Sequence, residues 1–301
     1  MKPSPASLKV LAFVACVVIW GSTWRAIRVG YEPGTDAFFL AAIRFFMAAA
    51  LLVLVAFALR VPIPTSGRPL ALCVFVGVTL FGLDYGLIYW GEQYIPSGTT
   101  AVLFAIMPLS TAVLAHFFLP SDRITWRKLA GIAIGVSGMV VLFWDSLSLG
   151  EAVLPMLAIV ASTVFAAAAS VATKKWGQEV HPASLNAVAM AVGAVLLTLG
   201  AFLHSGVPRF PETPVAWGAI LYLAVAGSVV TFLLYFWLLK SWPATRMSFV
   251  ALLTPLIALA IAVAYQEESL NPRFGAGAAL ILAGVFLASW TPATSRKPVK
   301  A

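Results

Sequence analysis

The chain has 301 residues, of which 61% are hydrophobic and only 10% charged, with a net charge of +8. So few charged residues cannot cover a water-soluble surface, and apolar runs of about 18 or more residues, enough to cross a hydrocarbon core, recur along the chain. A membrane β-barrel is excluded too, because stretches such as 48–59 and 158–172 are apolar at nearly every position and do not alternate.

Backbone polar groups in lipid must be satisfied within their own segment, so the runs are read as helices. They lie at roughly 9–29, 36–59, 69–91, 98–119, 127–144, 152–173, 183–204, 214–238, 247–265 and 274–291. This predicts an all-α integral membrane protein with ten transmembrane helices, five in each half. The breaks hold turn residues, including Pro33 with Gly34, Pro62 with Gly67, Pro96 with Gly98, His181 with Pro182, and Pro208 with Pro211.

The first run follows Lys2 and Lys9 without a separable signal peptide and is expected to remain as a span. On it, Trp20, Trp24 and Arg28 share one helical face at i, i+4, i+8. Two indoles on one face suit a pocket for an aromatic, apolar or cationic ligand. An interfacial belt with a snorkelling arginine would look the same, and Trp20, which is deeper, is the better pocket residue.

Arg44 lies within the second span and Asp84 well inside the third. A charge at such depth costs about 2.5–3.5 kcal/mol on insertion scales and is a functional-site hypothesis by default. Two accounts stand. Either the two charges are structural, neutralising each other as a pair or each facing a wet cavity, or Asp84 titrates during transport or holds a substrate ammonium. Tyr85, Tyr89 and Glu92 follow at i, i+4, i+7 on the third helix, and Tyr235 occupies the eighth, so two helices offer hydroxylated rings to a common centre. On the sixth, Thr163, Ser170 and Lys174 form a sparser polar line that reads as structural. Cys16 and Cys73 fall inside apolar runs, and His116, His181 and His204 are isolated, so neither a disulfide, a metal site nor a cofactor is expected.

An internal duplication organises these elements. Trp90, Pro96 and Pro108 recur 147 positions later as Trp237, Pro243 and Pro255, and Arg127, Gly131 and Gly138 recur as Arg273, Gly277 and Gly284 after a slip to 146. The halves are 1–147 and 148–301. With a cytoplasmic N-terminus, 14 of the 19 Lys and Arg residues fall on the inside, which places both termini there. An odd number of spans per half makes the repeat inverted, an arrangement that commonly places a substrate site between the halves and alternates access by rocking one against the other. Asp84 is answered in the second half by Thr231, and Arg44 falls near Ala191, so any binding asymmetry is written into the first half. Pro108 and Pro255 sit about ten residues into matched spans, where each is expected to kink its helix and offer a gate.

The pattern Trp20, Gly21, Ser22, Thr23, Trp24, with Arg44 and Phe45, Pro108, and the acidic turn Asp122, Arg123, Ile124, Thr125 before Gly131 and Gly138, resembles the EamA-type drug/metabolite transporter superfamily. Glu268, Ser269 and Leu270, with Gly277 and Gly284, repeat the turn. The resemblance covers nearly the whole chain. It implies a central cavity lined by helices one to four and six to nine, with the fifth and tenth peripheral, and export of amino acids, related metabolites or drugs from the bacterial cytoplasm. Asp122 stands where the family usually has glutamate, and the sixth helix carries Ala166–Ala169 where its partner has the tryptophan pair.

The leading expectation is therefore a secondary transporter in the bacterial inner membrane. Its partners would be a small-molecule substrate and the lipid bilayer, with no nucleic acid. Trp20, Trp24, Arg44, Asp84, Tyr85, Tyr89 and Tyr235 are the substrate-binding candidates, Asp84 the coupling candidate, and Pro108 and Pro255 the hinges. No phosphate-binding loop is present to let ATP drive it within this polypeptide, and neither paired deep aspartates nor a His-Glu-x-x-His motif supports an intramembrane enzyme. A scaffold or receptor without transport is the alternative.

Overall fold

A computed structural model describes residues 5–95, 97–142, 144, 153–264 and 272–289, and no strand occurs among them. The chain runs through α1 (Pro5–Gly30), α2 (Ala37–Ala58), α3 (Gly67–Val76), a first π segment (Gly77–Asp84), α4 (Tyr85–Gly91), α5 (Ser97–Phe104), α6 (Met107–Phe118), α7 (Trp126–Leu142) and α8 (Val153–Trp176). It continues with α9 (Pro182–Ser205), α10 (Pro214–Ala224), a second π segment (Val225–Val230), α11 (Thr231–Ser241), α12 (Ala244–Ser248), α13 (Val250–Ala264) and α14 (Pro272–Ser289). Among the described residues, 6 continuous stretches are long and apolar enough to cross a membrane, namely 6–30, 37–58, 67–91, 153–176, 182–205 and 214–241.

The helix starts follow local chemistry. The Asp36 carboxylate caps α2 by accepting from Phe39 N at 3.0 Å, and the Thr213 hydroxyl caps α10 from Ala216 N at 3.2 Å. Pro182 and Pro214 occupy the first turns of α9 and α10, where their missing N–H is not needed.

Two expectations need correction. The third apolar run is not a uniform α-helix: π turns interrupt it at 77–84, and the corresponding run of the second half is interrupted at 225–230. A shift of 147 maps one interruption onto the other. The prolines, matched in sequence, also differ in role. Pro255 lies inside α13, whereas Pro108 stands in the first turn of α6, after the chain has broken at 105–106. Proline tolerates a first turn without losing a ladder bond, so Pro108 starts a helix and does not kink one. Lys2, Pro96, Glu268, Ser269, Leu270, Arg296, Lys297 and Lys300 lie outside the described residues.

Packing pairs the halves crosswise. The helix α2 packs along α9, α1 packs on α13, and α8, at the position of α1 in the second half, packs on α6. Helices α7 and α14 pack chiefly on each other, beside a small apolar cluster around Ile132, Phe249 and Ile281 that is separate from the main core. Their duplicated glycines explain the close approach: a Cβ on Gly131 would stand 2.5 Å from Gly284 O, and one on Gly284 2.5 Å from Gly131 O. Gly21 serves α1 in the same way, since a Cβ there would meet Ile257 Cβ at 2.5 Å.

Candidate functional site

A cavity in the main core is walled by both halves. Trp20 and Trp24 of α1 face it with Asp84 and Tyr85 at the junction of the first π segment and α4, Ser170 of α8, and Tyr235 of α11. Phe104, Phe232, Met247 and Thr254 complete much of the wall. Trp20 packs edge-on to Phe232 at 5.0 Å and lies 5.3 Å from Tyr235, while Trp24 lies 6.0 Å from Phe104. The face shared by Trp20 and Trp24 is thus turned inward, and Trp24 is 8% exposed.

The π segments shape this wall. A π turn bonds each N–H one residue further back and releases carbonyls and side chains from the ordinary helical register, and such turns are frequent at functional sites. In the second segment the Gly227 carbonyl accepts from Trp20 Nε1 at 3.1 Å and from an Arg44 terminal nitrogen at 3.3 Å. Ser228 and Thr231 bond back five residues, to Leu223 O at 2.9 Å and Ala226 O at 2.6 Å. In the first segment the last residue is Asp84, 1% exposed, with the Ser162 hydroxyl beside its carboxyl and no hydrogen-bond partner on Oδ1.

Arg44 is as deeply buried as Asp84 but is fully engaged elsewhere. Its Nε donates to Ser228 Oγ at 2.9 Å and another of its nitrogens to the Tyr89 hydroxyl at 3.2 Å. Its guanidinium also lies 5.0 Å over the Tyr85 ring and 5.1 Å over Phe45. Its hydrogen bonds go to neutral oxygens, so Arg44 is held by the second π segment and not by Asp84. Neither Arg44 nor Tyr89 lines the cavity; both sit behind Tyr85.

Beyond the cavity, carboxylates tie the halves together at each end. Glu32, in the loop before α2, accepts from the Thr213 hydroxyl, from Thr213 N at 3.0 Å and from Glu212 N at 2.7 Å. These bonds, led by that from the Thr213 hydroxyl, hold its carboxyl below the ordinary carboxylate range. Asp36 adds His204 and Ser205 at the same end. At the other end, Asp122 of the acidic turn is buried, pairs with Lys128, and accepts from Thr245 N at 2.9 Å at the start of α12. The Lys174 ammonium donates to the Leu239 and Lys240 carbonyls, at 2.8 and 2.9 Å.

Five of the seven substrate-binding candidates therefore line one cavity: Trp20, Trp24, Asp84, Tyr85 and Tyr235. Sequence reasoning missed Phe104, Phe232, Met247 and Thr254, whose residue types are indistinguishable from ordinary span residues. It also missed Gly227 and Ser228 as the anchors of Arg44, which lie more than 180 residues from it in the chain.

Comparison with known proteins places these features in a context. The profile of the EamA-like transporter family matches residues 7–144 and again 153–290. Over 286 residues, 93% of each chain, the sequence is 31% identical to a probable terminal-alkyne amino-acid exporter of Streptantibioticus cattleyicolor. It is 27% identical to the uncharacterized transporter YoaV of Bacillus subtilis, over 94% of this chain and 97% of that one. The uncharacterized inner membrane transporter YedA of Escherichia coli K12 is also 27% identical, over 86% of this chain and 83% of its own. A solved crystal structure, 20% identical, shares the fold with a TM-score of 0.79 over 94% of this chain and 96% of its own.

Proposed function

The chain belongs to the EamA-like transporter family and is a multi-pass membrane transporter, and from that premise we propose that it exports small organic solutes across the bacterial inner membrane by alternating access. The proposed frame is a ten-span inverted repeat, 1–147 and 148–301, with both termini cytoplasmic. One observation carries the reading: a single cavity is walled by helices that correspond in the two halves, α1 with α8 and α4 with α11, and the carboxylate ties beyond it cross from half to half. The ties at both ends are made here, and rocking of one half against the other would break those at one end while those at the other hold.

Within this scheme Asp84 is the coupling group, Trp20, Trp24, Tyr85 and Tyr235 hold the solute, Arg44 and Tyr89 brace the wall from behind, and Pro255, inside α13, marks a moving segment. The names of the Streptantibioticus and Escherichia relatives support export and the inner membrane respectively. The test is flux of labelled solutes in proteoliposomes with and without an imposed pH gradient, for the parent and Asp84→Asn. Gradient-driven accumulation that disappears in Asp84→Asn while downhill flux survives is the expected result. Accumulation unchanged by the substitution removes the coupling role, and no flux of any solute favours a scaffold or receptor.

A further inference from the structure

We propose that the cavity selects a monocationic amine with an aromatic or apolar body and a neutral hydrogen-bond acceptor, and disfavours free amino acids and anions. The proposal rests on the transporter reading above and names its substrate class. Its basis is which polar groups of the wall are already satisfied and which are left over.

Among the described residues, Asp84 is the sole charged side chain lining the cavity. The buried cation Arg44 lies behind Tyr85, donating to Ser228, Tyr89 and Gly227 with its face under the Tyr85 ring. Most neutral polar groups of the wall are paired internally. The Trp20 indole donates to Gly227 O, the Thr23 hydroxyl to Trp20 O at 2.7 Å, and the Thr254 hydroxyl to Ala251 O at 3.4 Å. Ser170 and Tyr235 share a bond at 3.0 Å.

Among the described residues that line the cavity, two buried atoms remain without a partner: Asp84 Oδ1 and Trp24 Nε1. One is a carboxylate acceptor and the other a neutral donor. Their complement is one positive charge and one neutral acceptor, carried on a body that tolerates a wall of Trp, Tyr, Phe and Met. An ammonium supplies the counter-charge that a buried carboxylate needs. The α-carboxylate of a free amino acid would be desolvated against an indole N–H and the Asp84 charge with no cation to meet it, which is strongly unfavourable.

The purified full-length protein should be titrated calorimetrically with L-phenylalaninamide, L-phenylalanine, N-acetyl-L-phenylalanine and phenethylamine. A pH of about 6, below the usual α-amino range of about 7.7–8.0, keeps the amines protonated. The amide is expected to bind at least about tenfold more tightly than phenylalanine or its N-acetyl derivative, the scale of one charge-assisted hydrogen bond. Asp84→Asn should abolish that preference. Phenethylamine, which lacks the acceptor, should bind about threefold to tenfold more weakly than the amide, a gap that closes in Trp24→Phe.

Equal or tighter binding of phenylalanine, absence of amide binding, or a preference retained in Asp84→Asn would overturn the proposal. If Asp84→Asn fails to elute as a monodisperse species, the charge series on the parent protein decides alone. Downhill vesicle flux of the same solutes separates the two readings. Flux without preference for the cation sinks the charge selection and leaves the transporter, whereas flux of none of a broad panel sinks both.

Discussion

The two π segments occupy equivalent positions in the two halves and do opposite things with charge. The second gathers a buried cation: Ser228 Oγ and the Gly227 carbonyl receive Arg44, and the same carbonyl receives Trp20. The first ends on a buried carboxyl group, Asp84, whose Oδ1 has no partner. Complete hydrogen bonds offset the desolvation of a buried ion, so that removing a partner is costly, whereas a buried carboxyl left incomplete is a cost that a ligand or proton can relieve. Duplication therefore supplied the same backbone irregularity twice, and divergence made one copy an anchor for a cation and left an unpartnered carboxyl oxygen on the other.

Removing the anchor should have the largest effect. Arg44→Ala strips three hydrogen bonds from buried oxygens and is expected to destabilise the protein by about 3 kcal/mol or more, read as a fall in the thermal midpoint in detergent. Retention of parental stability would mean that the second segment does not depend on its cation, and the contrast between the copies would collapse. Ser228→Ala should cost less, about 1–2 kcal/mol, because it removes one acceptor from Arg44 and one back-bond to Leu223 O.

Asp84→Asn sharpens the contrast from the other side. It relieves the cost of an incompletely paired buried carboxyl, so stability should hold or rise by up to about 1 kcal/mol, while gradient-driven transport is expected to fall. A loss as large as that of Arg44→Ala would show that Asp84 too is a structural group.

The smallest expected effect is an interfacial control for pH. His181 caps α9 by accepting from Ala183 N at 3.2 Å, which requires a neutral ring, and partial burial with the nearby Lys240 cation pushes its pKa below the ordinary 6.5. The unfolded chain thus takes up the proton first. The cap's contribution is fully present above pH 6.5 and is lost as pH falls through the lower folded value. A drop of about 0.5 kcal/mol should be seen in mild acid and should flatten in His181→Asn, which caps without titrating. An unflattened profile would assign the acid sensitivity to other groups.

The membrane class was legible because a hydrocarbon solvent demands long apolar runs, and the repeat because Trp90, Pro96 and Pro108 recur at a fixed offset. The shared face of Trp20 and Trp24 was legible from helical spacing, but its turning inward was not, since an interfacial belt has the same spacing. The partners of Arg44 were not, since Ser228 lies 184 residues away and touches it only through the crosswise packing of α2 and the second π segment. Nor was the contrast between Pro108 and Pro255, because equal sequence positions do not say whether the preceding turn is intact.

Composition and periodicity by themselves determined that this chain lives in a bilayer, in two related halves, with Arg44 and Asp84 placed where charge is costly. Those are properties of local segments and of the solvent around them. Tertiary structure alone decided that the two charges do not pair, that the carboxylate faces the cavity while the guanidinium lies behind it, and that two π segments set them apart. Which atoms meet across a bundle depends on helix register and on contacts between distant segments, and a linear pattern of hydrophobicity holds no record of either.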